Sequence, residues 1–278
     1  MDIIARRPRP SVQEVYETDR NRAPDVLRME SPPEGQSLDD VSAERYFSPQ
    51  WHAREVEKVW RKCWQLACRV EDIREAGDQL VYDIVDESIL LVRTSEGTIQ
   101  AYINACLHRG TMLRTHSGNA KQIRCPFHGW TWSLDGKLKV LPGQWDFPQV
   151  DKDKFCLPQA RVGIWAGFVF INLDPDAEPF EDYLEILPQH FEGFALEDRY
   201  KAVHVAKVMP CNWKLGMEAF IEAYHVPIAH PQVVNYYGAS NTQYDVWPGV
   251  RHVSRMISVQ GLPSPSVVGI SDDKVIED

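Results

Sequence analysis

Two short stretches, Cys106-Leu-His108 and Cys125-Pro-Phe-His128, decide the fold of this 278-residue chain, and sixteen residues separate them. Each stretch offers one thiolate and one imidazole to a shared metal centre. Zinc sites also use cysteine and histidine, but they favour like pairs such as C-x₂₋₄-C and H-x₃₋₅-H. Here each pair is mixed and one spacer is a single residue, so the pattern favours iron over the zinc alternative.

Mixed thiolate and imidazole ligands are typical of a Rieske [2Fe-2S] cluster. In that cluster two cysteines hold one iron and two histidines hold the other, which raises the reduction potential above that of an all-cysteine cluster. The predicted ligands are, in chain order, Cys106, His108, Cys125 and His128. Gly110 and Gly129 follow them, either because backbone must approach a sulfide closely or because of ordinary packing.

The chain around these stretches has the pattern of a small antiparallel β-domain. Short runs rich in β-branched and aromatic residues, such as Ile89-Leu-Leu-Val, follow one another between Gln79 and Val140. Turn residues separate them at Asp86-Glu87, Glu96-Gly97 and Asp135-Gly136. Such spacing provides the β-rich context that the cluster motif requires.

The residues beside the ligands resemble those of one protein family. Cys106-Leu-His-Arg-Gly and Cys125-Pro-Phe-His-Gly-Trp look like the large subunit of Rieske non-haem iron ring-hydroxylating oxygenases. Respiratory-chain Rieske proteins carry an extra cysteine in each loop, paired as a disulfide, whereas this chain has Thr111 and Phe127 at those places. Phe127 also departs from the tyrosine common in the oxygenases.

An oxygenase needs a second iron, and a later stretch offers ligands for it. Glu222 and His225 are three residues apart, which would place them on one face of a helix. His225 and His230 would diverge on an unbroken helix, but Pro227 should break or kink it between them. Two histidines and a carboxylate form the facial triad of non-haem Fe(II) oxygenases. Ordinary packing or surface polarity is the alternative for these residues taken alone.

This stretch also resembles the ligand segment of the oxygenase family. The resemblance implies that His225 and His230 bind a mononuclear Fe(II), with O₂ as co-substrate, and that Glu222 is the carboxylate bridging the two metal centres. Ala219 replaces the asparagine usual there. The family's third ligand is an aspartate on a more distant C-terminal helix, so we expect this chain to be truncated. The carboxylates that remain are not assigned as ligands: Asp245, Asp272, Asp273, Glu277 and Asp278.

The predicted fold is α+β, with three parts. Residues 1–42 form an extended N-terminal arm, residues 43–162 a lead helix and the Rieske domain, and residues 163–278 part of the catalytic domain, which the resemblance identifies as a helix-grip (START-like) fold. The lead helix starts at Ser48-Pro49. It carries a predicted core stripe of Trp51, Val56, Val59, Trp60, Cys63 and Trp64. A helix over 180–192 and a strand over 200–209 are predicted in the third part.

Composition limits the classes of partner and compartment. A net charge of −10 argues against nucleic-acid binding, and the absence of an 18-residue apolar run argues against a membrane span. Four cysteines lie outside the motif and are predicted to be buried thiols in a reducing cytoplasm: Cys63, Cys68, Cys156 and Cys211.

The predicted function is that of a terminal oxygenase component that hydroxylates an aromatic or other hydrophobic organic substrate. The resemblance implies an NAD(P)H-dependent reductase partner, with or without a ferredoxin, and a homotrimer, with or without a small β subunit. The chain has no GxGxxG dinucleotide fingerprint of its own. The alternative is a Rieske ferredoxin-like electron carrier with a docking domain, which leaves Glu222, His225 and His230 unexplained.

Overall fold

The computed structural model describes residues 10–34 and 39–261, and the chain divides into two compact units. The first, here called the β-unit, comprises Pro49–Tyr183 and Ala195–Val205. The second, here called the hairpin unit, comprises Met1–Ser48, Leu184–Phe194 and Ala206–Asp278. The predictions for residues 1–9 and 35–38 of the arm lie outside the described residues, and so do the unassigned carboxylates Asp272, Asp273, Glu277 and Asp278.

Short elements make up both units. The α-helices of the described residues are α1 (Val12–Tyr16), α2 (Asp25–Arg28), α3 (Glu44–Phe47), α4 (Pro49–Glu55), α5 (Phe180–Tyr183), α6 (Leu187–Phe191), α7 (Trp213–Glu218) and α8 (Val226–Ala229). The strands are β1 (Gln65–Arg69), β2 (Asp78–Ile84), β3 (Glu87–Arg93), β4 (Ile99–Ile103), β5 (Gly118–Asn119), β6 (Ile123–Arg124), β7 (Thr131–Trp132), β8 (Leu138–Val140), β9 (Gln159–Trp165), β10 (Phe168–Asn172), β11 (Tyr237–Asp245) and β12 (Arg255–Gln260).

The β-unit is built from antiparallel sheets. One sheet has seven strands in the order β1-β10-β9-β4-β3-β2-β5, and a smaller one has three in the order β6-β7-β8. The predicted ligand stretches lie between β4 and β5 and between β6 and β7. The antiparallel β-domain predicted from the turn spacing is therefore present.

Strand β3 is the centre of the β-unit core. Its residues Ile89 to Val92 are all fully buried, because both faces of the strand are covered. Leu90 and Val92 pack with Cys106 and the tryptophans around it, whereas Ile89 and Leu91 pack with β10. Alternate residues of a strand point to opposite faces, so a strand buried on both sides reads as the continuous apolar run seen in the sequence.

The turn at Asp135-Gly136 depends on its glycine. Gly136 has φ of 79°, in the left-handed region that glycine adopts at no steric cost. A Cβ atom at this position would also lie 2.6 Å from the Tyr102 ring, which is fully buried beside it. The predicted turns at Glu96-Gly97 and Asp135-Gly136 are confirmed, and the turn predicted at Asp86-Glu87 lies one residue earlier.

The lead helix starts at Pro49 as predicted, but its stripe is not a core stripe. After α4 the helix continues as a π-helix over Val56–Trp60. Of the six predicted residues only Trp64 is buried, and Val59 is exposed. Helical spacing alone could not show which face would be covered, because that depends on the sheet packed against it.

The hairpin unit contains β11 and β12 as an antiparallel pair, and the described part of the N-terminal arm packs on it. The arm is not simply extended, since it contains α1 and α2. Ser11 and Glu14 form a capping box at the start of α1, a signal present in the sequence that our prediction missed. The Gln13 side chain donates to Gln243 of β11 (2.9 Å), and the backbone N–H of Ser31 donates to Asp245 (2.7 Å).

Several other predictions were wrong in detail. The helix predicted over 180–192 is split into α5 and α6, with Glu185 at a positive φ of 49° between them. Residues 200–209 form no strand, since no described strand pairs with them. The predicted boundary at residue 163 falls within β9, which pairs with β10 in the seven-stranded sheet, and the boundary stays a prediction. Two of the cysteines predicted to be buried, Cys156 and Cys211, are exposed.

Over residues 10–34 and 39–261, no helix has the length and apolar character needed to cross a bilayer. The mixture of antiparallel sheets and short helices agrees with the predicted α+β class.

Candidate metal centres

Each of the two predicted cluster loops contains a backbone turn, and the two turns have the same hydrogen-bond pattern. In each loop the cysteine N–H donates to the carbonyl oxygen five residues later, from Cys106 to Thr111 and from Cys125 to Trp130, both at 2.8 Å. A hydrogen bond within the backbone of each loop therefore joins the cysteine to the far end of the loop.

The glycine of each loop closes the same turn from the other side. Gly110 N–H donates to the Cys106 carbonyl at 2.8 Å, and Gly129 N–H donates to the Cys125 carbonyl at 3.2 Å. Both glycines have left-handed φ values, 71° and 74°. A side chain at Gly110 would meet nothing within 4 Å, so the turn conformation, rather than crowding within the chain, explains this glycine.

The turns bring the four predicted ligands together in pairs. Cys106 and Cys125 are 4% and 1% exposed, and their thiols are close enough to influence each other electrostatically. The rings of His108 and His128 meet edge to face with centroids 4.7 Å apart. The histidines differ in exposure, because His108 is half-buried and His128 is exposed.

Aromatic side chains fix the orientation of His108. Its ring stacks on Trp130 with centroids 5.2 Å apart and planes 2° from parallel, and the edge of Phe147 meets it at 5.7 Å. Its Nδ1 atom is buried and has no hydrogen-bond partner in the structure. A buried imidazole nitrogen without a partner is costly unless a ligand uses it, so this atom fits a metal ligand. Trp130 and Phe147 were not among the predicted site residues, although Trp130 lies two residues after His128.

The electrostatics of the site also fit the cluster. Burial, with the neighbouring Cys125 thiol, raises the pKa of Cys106, so a thiolate here requires a cation to stabilise it. Burial lowers the pKa of His108 and favours the neutral, ligating ring. No three His, Cys, Asp or Glu residues of the described chain converge on one ion. A Rieske cluster takes only two protein ligands per iron, so it does not require such a group.

The second candidate centre lies in the hairpin unit, in the connection between α7 and α8. Helix α7 begins at Asn212, whose side chain accepts a hydrogen bond from Lys214 N–H (3.0 Å). It ends at Glu218, whose carboxylate accepts hydrogen bonds from the Tyr46 hydroxyl (2.9 Å) and from Arg45 (3.2 Å). Tyr46 is 172 residues away in sequence, so no sequence signal indicated this contact.

Glu222 and His225 are adjacent for a different reason from the one predicted. Glu222 is not helical; it lies in the turn between α7 and α8. Its carboxylate accepts hydrogen bonds from the Tyr224 and His225 backbone N–H groups, the latter at 3.1 Å, and contacts the His225 ring at Nδ1. The carboxylate itself therefore holds the turn that places it beside His225.

His225 and His230 lie at the two ends of a short helix, whereas the prediction was a longer helix broken or kinked between them. Helix α8 fills the sequence between His225 and His230, and Pro227 occupies its first turn, where proline is tolerated. The two rings meet edge to face with centroids 5.4 Å apart. Because Nδ1 of His225 faces Glu222, its Nε2 is the nitrogen left for a metal.

The charge on Glu222 is stabilised by this turn. Burial would raise the pKa of Glu222, but hydrogen bonds from the His225 ring and from the His225 and Tyr224 amides outweigh it and lower the pKa. An ionised carboxylate against Nδ1 orients the imidazole, as carboxylates beside metal-bound histidines do. The donor set fits a divalent metal held by two imidazoles.

No third protein ligand for such a metal occurs among residues 10–34 and 39–261. Asp245, one of the carboxylates left unassigned above, has another role. Its side chain is fully buried and forms an ion pair with Arg255 (2.8 Å). Ala219, in place of the family's asparagine, caps the end of α7 with its backbone.

Two family models match the chain in the expected order. The Rieske [2Fe-2S] domain matches residues 63–151, and the ring hydroxylating alpha subunit (catalytic domain) matches residues 190–265. The first match contains both cluster loops, and the second contains Glu222, His225 and His230.

Known proteins similar to the chain come from the same group. The carnitine monooxygenase oxygenase subunit of Escherichia coli (strain K12) is 34% identical over 199 residues, which are 69% of this chain and 52% of that protein. The chlorobenzene dioxygenase subunit alpha of Cupriavidus sp. (strain PS12) is 33% identical over 206 residues, 69% of this chain and 45% of that protein. The chain thus spans about half the length of these relatives.

A solved structure agrees with the sequence comparison. The quaternary ammonium Rieske monooxygenase CntA, in complex with L-carnitine, superposes with a TM-score of 0.67 at 28% identity, covering 77% of this chain and 61% of that one. With both family models in order, the antiparallel Rieske domain and the shared fold, the chain belongs to the alpha subunits of the Rieske oxygenases and carries a Rieske domain followed by part of the catalytic domain.

Proposed function

We propose that the chain is part of the terminal component of an oxygenase that oxidises a small organic substrate. When bound, the mononuclear Fe(II) would activate O₂ with electrons that the Rieske cluster supplies. Cys106, Cys125, His108 and His128 would hold the cluster, and His225 and His230 would hold the mononuclear iron. Glu222 would orient His225 and connect the two centres.

The observation that carries this proposal is the second cluster of side chains. An electron carrier needs Cys106, His108, Cys125 and His128 but has no use for two converging imidazoles with a carboxylate on one of them. The contacts of Glu222 with His225, and of His225 with His230, are therefore the evidence against a carrier. The similarity to whole oxygenase subunits supports the same choice.

Partners follow from the same proposal. Electrons would come from an NAD(P)H-dependent reductase, with or without a ferredoxin, and the chain would assemble as a homotrimer, with or without a small β subunit. The structure of a similar quaternary ammonium Rieske monooxygenase gives insights into inter-subunit electron transfer, which supports a multimer here. Cysteines that are all free thiols support a reducing cytoplasm as the site of action.

The substrate class has two candidates, because the two relatives differ. An aromatic or other hydrophobic substrate agrees with the chlorobenzene dioxygenase subunit, and a quaternary ammonium compound agrees with the carnitine monooxygenase subunit. Substrate-dependent oxidation of the reduced cluster, measured with an aromatic hydrocarbon and with carnitine in parallel, separates them.

The three-part division of the chain is also a proposal. The matched segments, 63–151 and 190–265, fall inside the second and third predicted parts, which supports the division. Pairing of β9 and β10 in the seven-stranded sheet favours a boundary after Tyr183 rather than at residue 162.

Iron analysis of the full-length protein tests the oxygenase against the carrier. We expect about three irons per chain in the wild type and about two in His225→Ala or His230→Ala, with an unchanged Rieske spectrum in both variants. His252→Ala is a matched control, because His252 lies in the hairpin unit and its backbone N–H donates to Glu185 rather than to a residue of the candidate iron site. Two irons in the wild type, or loss of the Rieske spectrum in the variants, contradicts the proposal.

A further inference from the structure

Ala223 occupies a special place in the turn that carries the second candidate centre. It lies between Glu222 and His225 and is fully buried. The Glu222 carboxylate satisfies the N–H groups of Tyr224 and His225, the two residues that follow Ala223. The N–H of Ala223 instead donates to the Tyr244 hydroxyl oxygen at 2.9 Å.

Tyr244 connects this turn to the β11–β12 pair of the hairpin unit. It lies in β11, where it pairs with Met256 of β12. Ala223 and Val226 pack in a small apolar cluster with Ala239 of the same strand, and Met256 lies against that cluster. Apolar packing alone does not fix the rotation of a turn, because it lacks direction, whereas a hydrogen bond to one amide does.

We propose that Tyr244 is a positioning residue for the mononuclear iron site. Its hydroxyl fixes the amide of Ala223, and this fixes the turn from which Glu222 and His225 project. The Nε2 atom of His225 is thereby held in place for the metal without any contact between Tyr244 and the metal. The inference rests on the proposed function, since it assigns Tyr244 a role toward that iron.

Removing the hydroxyl should loosen the turn by a predictable amount. In Tyr244→Phe the buried Ala223 N–H has no acceptor, and a buried donor without a partner is costly. The turn can relieve this cost only by moving the amide toward water. Fe(II) affinity should therefore fall by about 5- to 150-fold, the range that corresponds to one unsatisfied buried donor.

The same strand provides a matched control. Tyr237 also lies in β11, and its hydroxyl donates to the Ser258 hydroxyl of β12 at 2.8 Å. Tyr237 packs against the same small apolar cluster. Its hydroxyl is bonded to Ser258 rather than to the turn that carries Glu222 and His225. Tyr237→Phe therefore removes one tyrosine hydroxyl from the hairpin and leaves Ala223 satisfied.

The test uses the full-length protein with two readouts. Fe(II) titration after chelation, followed by the EPR spectrum of the nitric oxide complex of the mononuclear iron, measures affinity and symmetry of the site. Amide hydrogen exchange of the iron-free protein measures opening of the segment 219–230. In Tyr244→Phe we expect at least fivefold weaker Fe(II) binding, an altered nitrosyl spectrum and at least fivefold faster exchange at Ala223, with an unchanged Rieske spectrum. Tyr237→Phe should stay within twofold of wild type.

The outcomes separate the inference from the proposed function. Wild-type affinity and wild-type exchange in Tyr244→Phe overturn the role of Tyr244 and leave the oxygenase proposal standing. Equal effects of the two tyrosine variants overturn it as well, since the hairpin as a whole would then be responsible. A wild-type protein that binds no Fe(II) through His225 and His230 overturns the proposed function and the inference together.

Discussion

Replacing Asp245 by asparagine should destabilise the hairpin unit strongly. The Asp245 side chain is 0% exposed and the Arg255 side chain is 9% exposed. The Nη2 atom of Arg255 lies 2.8 Å from the Oδ2 atom of Asp245. Asp245 also accepts hydrogen bonds from Gln243 (2.8 Å) and from Ser31 N–H (2.7 Å). Asparagine could still accept from Ser31, but its NH₂ group would face the donors of Arg255 and Gln243. Breaking a buried ion pair by removing one partner costs about 3–5 kcal/mol, and we expect Asp245→Asn to fall in this range.

Denaturation in urea, followed by fluorescence, measures this loss of stability. An exposed ion pair in the same unit provides the control, since the side chains of Arg22 and Asp25 are 74% and 82% exposed. Arg22→Gln should therefore cost less than about 1 kcal/mol. Hydrogen exchange in residues 10–34 should rise in Asp245→Asn, because Ser31 is held at Asp245.

A loss for Asp245→Asn no larger than that for Arg22→Gln would refute this reasoning, because the unpaired charge of Arg255 would then carry no cost in the buried site.

Three further predictions concern the candidate centres and the β-unit. Alanine at any of the four predicted cluster ligands should abolish the visible absorption and the rhombic EPR signal of the reduced cluster; a normal spectrum would exclude that residue as a ligand. Glu222→Gln in the full-length protein should keep both metals but slow electron transfer between them, as measured by single-turnover oxidation of the reduced cluster, and a wild-type rate would make Glu222 an ordinary surface carboxylate. Burial alone would raise the pKa of Asp72, but hydrogen bonds from Lys201 and the Arg69 amide outweigh burial. The pKa of Asp72 is therefore below its ordinary value. This group therefore stabilises the fold above the ordinary aspartate pKa of about 4 and loses that contribution as pH falls through its lower folded value. The difference in stability between Asp72→Asn and wild type should be largest at neutral pH and shrink in acid; a difference independent of pH in denaturation experiments would contradict the assignment.

The cluster loops could be predicted from sequence because their determinants are local. Cys106 and Cys125, with the glycines four residues after them, form the same backbone turn, whose hydrogen bonds join residues close in sequence. The apolar run at Ile89 was equally informative, since a strand covered on both faces must be apolar at every position. These features gave the antiparallel domain and four of the site residues.

The residues predicted for the second centre lie near one another, but the geometry that brings them together differs from the predicted one. The spacing of Glu222 and His225 suits a helix, yet the Glu222 carboxylate competes for the backbone N–H groups and forms a turn instead. Tyr244 acts on this turn from a strand that begins after it, so no local pattern could reveal the contact. Residues 200–209 have strand-like sequence, but a strand forms only where another strand accepts its hydrogen bonds.

The paired turns of the cluster loops have a consequence for variants of the four candidate ligands. Their hydrogen bonds run between backbone groups, so neither the thiols nor the imidazoles take part in them. Alanine at Cys106, His108, Cys125 or His128 therefore leaves these hydrogen bonds available. The groups that shape the loop backbone are different from the groups that would bind iron.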